Sequence, residues 1–292
     1  MYTLPTTITS SQDSIDFILN HDIKQGNWQL FDRDIQDIQS AISCIKDTGI
    51  TIVSLHSPFE EGWTAIRIET YLYNKNYIDS ILYAAEQIGI AFNSVLPLVF
   101  HTSMYREELN SIKDIASAIN PVLLQCPHVK IVLENTGCDF PLDAKLDKIP
   151  FMVPQVVQMF NQYLVDVSVG ACLDICHAEI VKRTMQLLID NDVIVGDTAP
   201  SVEDYAKAFG EDCLLVHLSN TRGFGIKKPG HGAGFNINFA HEVDLLRHYL
   251  ELCQTYLKNA RVVLEISEID YSNRIEALHT LEVLKHLGGQ DG

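Results

Sequence analysis

Apolar residues along this chain follow two rhythms: short unbroken runs rich in valine, isoleucine and leucine, and longer stretches where they return every three or four positions. The first is how a strand covered on both faces reads, and the second marks an amphipathic helix. The runs predict strands at 2–8, 28–31, 50–56, 94–101, 129–134, 170–174, 213–219 and 261–266. Ser10 or Ser11 caps a first helix around Ile15, Phe17, Ile18 and Leu19. A second helix, over 34–48, carries Ile35, Ile38, Ile42 and Ile45 at helical spacing and stops at Gly49. Further helices are predicted at 77–88, 106–118, 153–163 (opened by Pro154), 179–190, 202–209 and 241–256. Ser272 caps the last, with Ile275, Leu278, Leu281 and Leu284 on one face. Strands alternating with helices in this way predict an α/β chain closed into a single (β/α)8 TIM barrel. No linker or low-complexity run interrupts it, so 1–292 reads as one domain.

Composition narrows the class. A chain of 292 residues, 47% hydrophobic, can bury one large core. A formal net charge of −17 repels polyanions, which disfavours nucleic acid as a partner and leaves small molecules. The seven cysteines, at 44, 126, 138, 172, 176, 213 and 253, include no CxxC pair and read as buried, reduced thiols of a cytoplasmic protein. No basic and apolar leader opens the sequence, and no run approaches the ~18 apolar residues of a membrane span. Nothing in it speaks against a homo-oligomer.

The chemistry gathers at the predicted strand ends, the face where barrel enzymes carry their sites. Strand six runs into Cys172-Leu173-Asp174-Ile175-Cys176-His177, with an acid and an imidazole three apart. Strands three, four, five, seven and eight end likewise on His56, His101, Glu134, His217 and Glu265. A lone Asp or His there is more often a cap or a hydrogen-bonded core residue. Four neighbouring strand ends converging on one point would bring Glu134, Asp174, His217 and Glu265 together, and three carboxylates in one pocket repel unless a cation sits between them. That donor set suits a divalent ion of the Mn, Mg, Co or Zn type. His56, His101 and His177 read as ligands of a second ion or as substrate contacts.

The loop after strand seven, 220–235, is glycine-rich and the densest basic stretch of an acidic chain. Lys227 and Lys228 read equally as a solvated charge run, whereas Arg222, five residues beyond His217, is the better candidate for gripping a substrate oxyanion. His231 could reach the pocket from the same loop. Gly232-Ala233-Gly234 is too short a signal for a nucleotide site, so no nucleotide cofactor is expected. After strand three, Phe59 and Trp63 could wall the pocket against a sugar ring, or simply pack.

The ordered set His56, His101, Glu134-Asn135-Thr136, Asp174-Ile175-Cys176-His177, His217-Leu218-Ser219-Asn220 and Glu265 resembles the xylose isomerase-like barrel superfamily, which joins sugar isomerases and epimerases to the endonuclease IV type of nuclease (AP endonuclease family 2). In the epimerase branch, the resemblance implies, Glu134, Asp174, His217 and Glu265 hold one divalent ion and the two glutamates exchange the substrate proton. In the nuclease branch it implies that His56, His101 and His177 join a three-zinc cluster. The chain departs from that second pattern around Lys227, Lys228 and Pro229, where two ligands of the third zinc are missing unless His231 substitutes. The sequence therefore points to a metal-dependent isomerase or epimerase of a sugar or related hydroxy-carbonyl compound. Metal-dependent phosphoester hydrolysis with two or three zinc ions is the alternative, and a barrel that only binds a small ligand is the third reading.

Overall fold

A computed structural model describes residues 4–60, 64–102, 111–136, 153–192, 199–222, 224–225, 228–229, 231–268 and 273–290. Eight parallel strands close into a barrel. In chain order they are β1 (Thr6–Ile8), β2 (Gln25–Gln29), β3 (Thr51–His56), β4 (Leu96–Thr102), β5 (Val129–Asn135), β6 (Gly170–Asp174), β7 (Cys213–Leu218) and β8 (Arg261–Leu264). Each pairs with its sequence neighbours, and β8 closes on β1. The barrel predicted from the apolar runs is the one that forms.

Ten helices surround it among the described residues: α1 (Gln12–Asn20), α2 (Asp32–Gln36), α3 (Ile38–Lys46), α4 (Lys75–Phe92), α5 (Ile112–Leu123), α6 (Val153–Tyr163), α7 (Ile175–Asp190), α8 (Val202–Phe209), α9 (Ala240–Tyr256) and α10 (Ile275–Gln290). The helix expected over 34–48 is two helices. The chain leaves helical geometry at Asp37 (φ −135°, ψ 66°), whose side chain then caps α3 by accepting from Ser40 N. The expected α10 face is partly wrong, since Ile275 is 54% exposed while Ala277, Val283, Leu284 and Leu287 are buried. Ser272, proposed as its cap, lies outside the described residues. Of the described cysteines five are buried, but Cys44, on α3, is exposed and departs from the expectation of buried thiols. No described helix is long and apolar enough to cross a membrane.

Two cores result. The larger packs the outer faces of the strands against the helices. A smaller one, of Val53, Val99, Val132, Cys172, Leu215 and Val263, fills the barrel interior. The last five stand two residues before His101, Glu134, Asp174, His217 and Glu265, so the two-residue alternation of a strand aims each of those side chains up the same axis. On β3 the interval from Val53 to His56 is three. The ladder to β2 slips there, pairing Gly26 with Ile52 but Asn27 with Ser54, and the extra residue turns His56 inward with the others.

Candidate metal centre

Six strand ends thus deliver polar side chains above one apolar floor, and all of them are buried or nearly so. Glu134, Asp174, His217 and Glu265 place one ligand atom each within 4.8 Å of one another. His217 Nδ1 lies 3.1 Å from Glu134 Oε2 and 2.9 Å from Glu265 Oε2. Both oxygens of Glu134, Oδ2 of Asp174, both ring nitrogens of His217 and Oε2 of Glu265 nonetheless have no hydrogen-bond partner. Buried polar atoms are rarely left so. Three carboxylates and an imidazole orphaned around one point fit a divalent cation in both charge and donor type.

A second group shares Glu134. His56 Nε2 and His101 Nε2 each lie 3.5 Å from Glu134 Oε2 and 3.2 Å from each other. His56 Nδ1 donates to Ser57 O at 2.8 Å, so in its neutral form the ring turns the Nε2 lone pair toward the carboxylate. Two acceptors facing each other in a buried pocket also call for a cation or a proton. Phe59 stacks on His56 at 5.4 Å between centroids and meets His101 edge-on at 6.4 Å, forming an aromatic wall on this side. Trp63 lies outside the described residues.

Asp174 does two things at once. Its Oδ1 accepts from His177 N at 2.6 Å and caps α7, which begins directly at the end of β6 rather than at 179 as the sequence suggested. Its Oδ2 is left to the pocket. His177 therefore sits in the first turn of a helix, not in a loop. Its Nδ1 donates to Asn135 O at 2.8 Å and lies 3.3 Å from Glu134 Oε1. Asn135 also pairs with the backbone of Asp174, donating to its carbonyl at 2.9 Å and accepting from its N–H at 2.8 Å. Asn135 thus orients both residues, and its place directly after Glu134 was the available signal. Cys176 is the other residue read too blandly from sequence: its thiol accepts from Gly232 N at 3.4 Å and faces Asn220 O at 3.6 Å, tying α7 to the loop after β7.

His231 does reach the site. Its ring stacks on His177 at 4.6 Å and 27°, and Nε2 lies 3.9 Å from Asp174 Oδ2. Arg222 is where the structure corrects the sequence reading. Its guanidinium forks onto Glu242 through Nε and Nη2 and onto Glu276 through Nη1, all between 2.7 and 2.9 Å. Its donors are committed to these two carboxylates, so it is not available to grip a substrate oxyanion. Lys227 lies outside the described residues, as does the side chain of Lys228.

The pocket's charge state follows from these contacts. Burial pushes the Glu134 carboxyl up, but the imidazoles of His101, His217 and His177 outweigh it and hold it well below the usual range. Glu265 is likewise depressed, burial being outweighed chiefly by His217. Burial lowers His217, while Cys172, Glu265 and Glu134 raise it further, leaving it well above 6.5. His177, with burial opposed by Asp174 and Glu134, is raised to about 9. Burial dominates at His101 and lowers it to about 3. Both glutamates are therefore ionised at neutral pH.

No family model and no curated protein matches the chain. Solved structures do. The 3-keto-D-glucoside 4-epimerase of E. coli is 13% identical over 98% of this chain and 99% of its own, with a TM-score of 0.55. A Thermus thermophilus protein soaked with zinc chloride is 16% identical over 99% of each chain, at a TM-score of 0.57. An AP endonuclease, family 2, from Brucella melitensis is 10% identical over 92% of this chain and 96% of its own, at 0.53. At such identities the likeness is one of fold alone, that of a closed (β/α)8 barrel.

Proposed function

We propose that this barrel is of the xylose isomerase-like kind and is a divalent-metal-dependent isomerase or epimerase of a sugar or related hydroxy-carbonyl compound. The observation that carries the reading is the meeting of Glu134 and Glu265, both ionised, with Asp174 and His217 around one point. The bound cation would supply Lewis acidity at adjacent substrate oxygens and so acidify the carbon-bound proton between them. One glutamate, in the form that accepts a proton, would remove it, and the other, after taking up a proton from solvent, would return one to the carbon. His177, tied through Nδ1, presents Nε2 toward substrate oxygens, with His231 stacked beside it. Phe59 offers an apolar face to the sugar ring, and the apolar floor keeps water from quenching the carbanion from below.

A second reading, metal-dependent phosphoester hydrolysis, is favoured by the His56, His101 and Glu134 group, which would seat a further ion beside the first. Counting metal per chain and incubating ketoses in deuterated water separate the two. The isomerase predicts one tightly held ion and deuterium entering beside the carbonyl. Two or three ions, hydrolysis of a phosphoester and no exchange would establish the alternative. Glu265→Gln should lower exchange by a factor of about 100 or more, as loss of a general base does, with the fold intact. Exchange surviving at the wild-type rate removes Glu265 from the reaction.

A further inference from the structure

The chain leaves β7 at Leu218, and two described limbs of the loop that follows, 220–222 and 231–236, are fastened to each other and to two helices. Asn220 and Ala233 exchange backbone hydrogen bonds at 2.8 and 2.9 Å, and Ser267 N donates to Gly232 O at 2.7 Å. Gly232 adopts φ +76°, and a Cβ there would meet the Ser267 side chain at 2.8 Å and its backbone nitrogen at 3.0 Å. The second limb is then gripped by the carboxylates that hold Arg222. Glu276 Oε2 accepts from Gly234 N at 3.0 Å, and Glu242 Oε2 accepts from Asn236 N at 2.7 Å.

Arg222 stands between those carboxylates, one from α9 and one from α10. Without its charge Glu242 and Glu276 would face a common point with nothing to separate them. With it, each carboxylate is turned so that one oxygen also takes a backbone amide of the limb that carries His231. A planar guanidinium meets two carboxylates with three separate nitrogens held in one plane, whereas an ammonium has only one nitrogen to offer both.

We propose that Arg222 is a positioning residue for the mouth of the metal centre: through Glu242 and Glu276 it holds the loop after β7 so that His231 lies stacked over His177. The placement stands on geometry alone, and only its consequence, that substrate passes this imidazole pair, rests on the function proposed above.

The test reads the stack directly. In chelated protein carrying isotope-labelled histidine, His231→Gln assigns the His231 ring signal, and His177→Ala identifies the part of its shift due to the ring current of His177. Arg222→Gln should abolish that part while circular dichroism and a cooperative melt persist. Arg222→Lys, which keeps the charge but not the two-sided fork and guards against a variant that does not fold, should lose most of it too. An unchanged His231 shift in either folded variant overturns the proposal. Because the readout involves neither metal nor turnover, a failure of the isomerase reading would leave it untouched, and its own failure would leave that reading standing.

Discussion

At Asp174 a single carboxylate is shared between the fold and the site. Oδ1 ends the strand-to-helix turn by capping α7, and Oδ2 faces the pocket without a hydrogen bond. The two duties are separable by substitution. Asp174→Asn keeps an oxygen for His177 N but removes the charge, whereas Asp174→Ala removes both. In urea denaturation of chelated protein the alanine variant should be less stable than the asparagine variant by about 1 kcal/mol, the usual worth of an N-cap. Both should bind a divalent ion more weakly than the wild type by a factor of about 10–100 or more in calorimetric titration. Equal stabilities would mean the cap contributes nothing. The sequence made this residue visible, because an acid and an imidazole three apart at a strand end invite either reading. It did not show that both hold, since one oxygen each is a matter of rotamer. Arg222 was misread for a related reason. Its nearness to His217 in sequence was visible, but Glu242 and Glu276 come from 20 and 54 residues away, and only folding brings them to it.

At the scale of elements, most strands were legible because they are apolar runs ended by a polar residue, but β2 was expected at 28–31 and is Gln25–Gln29, a stretch whose only large apolar residue is Trp28. The helices were harder. The apolar spacing over 34–48 continues through Asp37, so the break between α2 and α3 is a cap competing with periodicity, and a cap of this kind is one residue's choice. The α10 prediction took Ile275, Leu278, Leu281 and Leu284 as the inward face, yet the helix buries Ala277 and Thr280 as well. The reason lies in its neighbour. A Cβ on Gly234 would sit 2.3 Å from Glu276 O and 2.8 Å from Thr280 Oγ1, so the second limb of the β7 loop runs directly along the first turns of α10 and needs small or polar groups there. Gly234→Ala must push backbone from backbone. It should cost about 1–3 kcal/mol or more, the range for overpacking, seen as a lower denaturation midpoint with unchanged slope. A variant as stable as wild type would show that the limb and α10 can move apart.

For the whole molecule, the barrel gathers three carboxylates at one end, and on the function proposed above a cation would reconcile them. Any ion that binds the folded chain alone stabilises it, by about 2.7 kcal/mol at a hundredfold excess over its Kd. For a chain of this length that is a rise in Tm of roughly 5 °C, so adding zinc or manganese to chelated protein should raise the melting temperature by about that much in calorimetry. A melting temperature indifferent to divalent ions would argue against any such centre. The chelated protein should also show its own pH dependence. His177 is raised from 6.5 to about 9, so its contribution is fully present below 6.5 and is lost as pH climbs through about 9. His101 is lowered from 6.5 to about 3, so its environment favours the folded chain above 6.5 and ceases to as pH falls toward 3.

The valines, leucine and cysteine that plug the interior beneath the six polar strand ends close the cylinder at one end. On the function proposed above, a molecule that reaches the six strand ends would have to leave by the end of the cylinder at which it entered, where the imidazoles of His177 and His231 are paired. A floor of that kind would make departure, as well as the proton transfer above it, a step whose pace evolution could adjust.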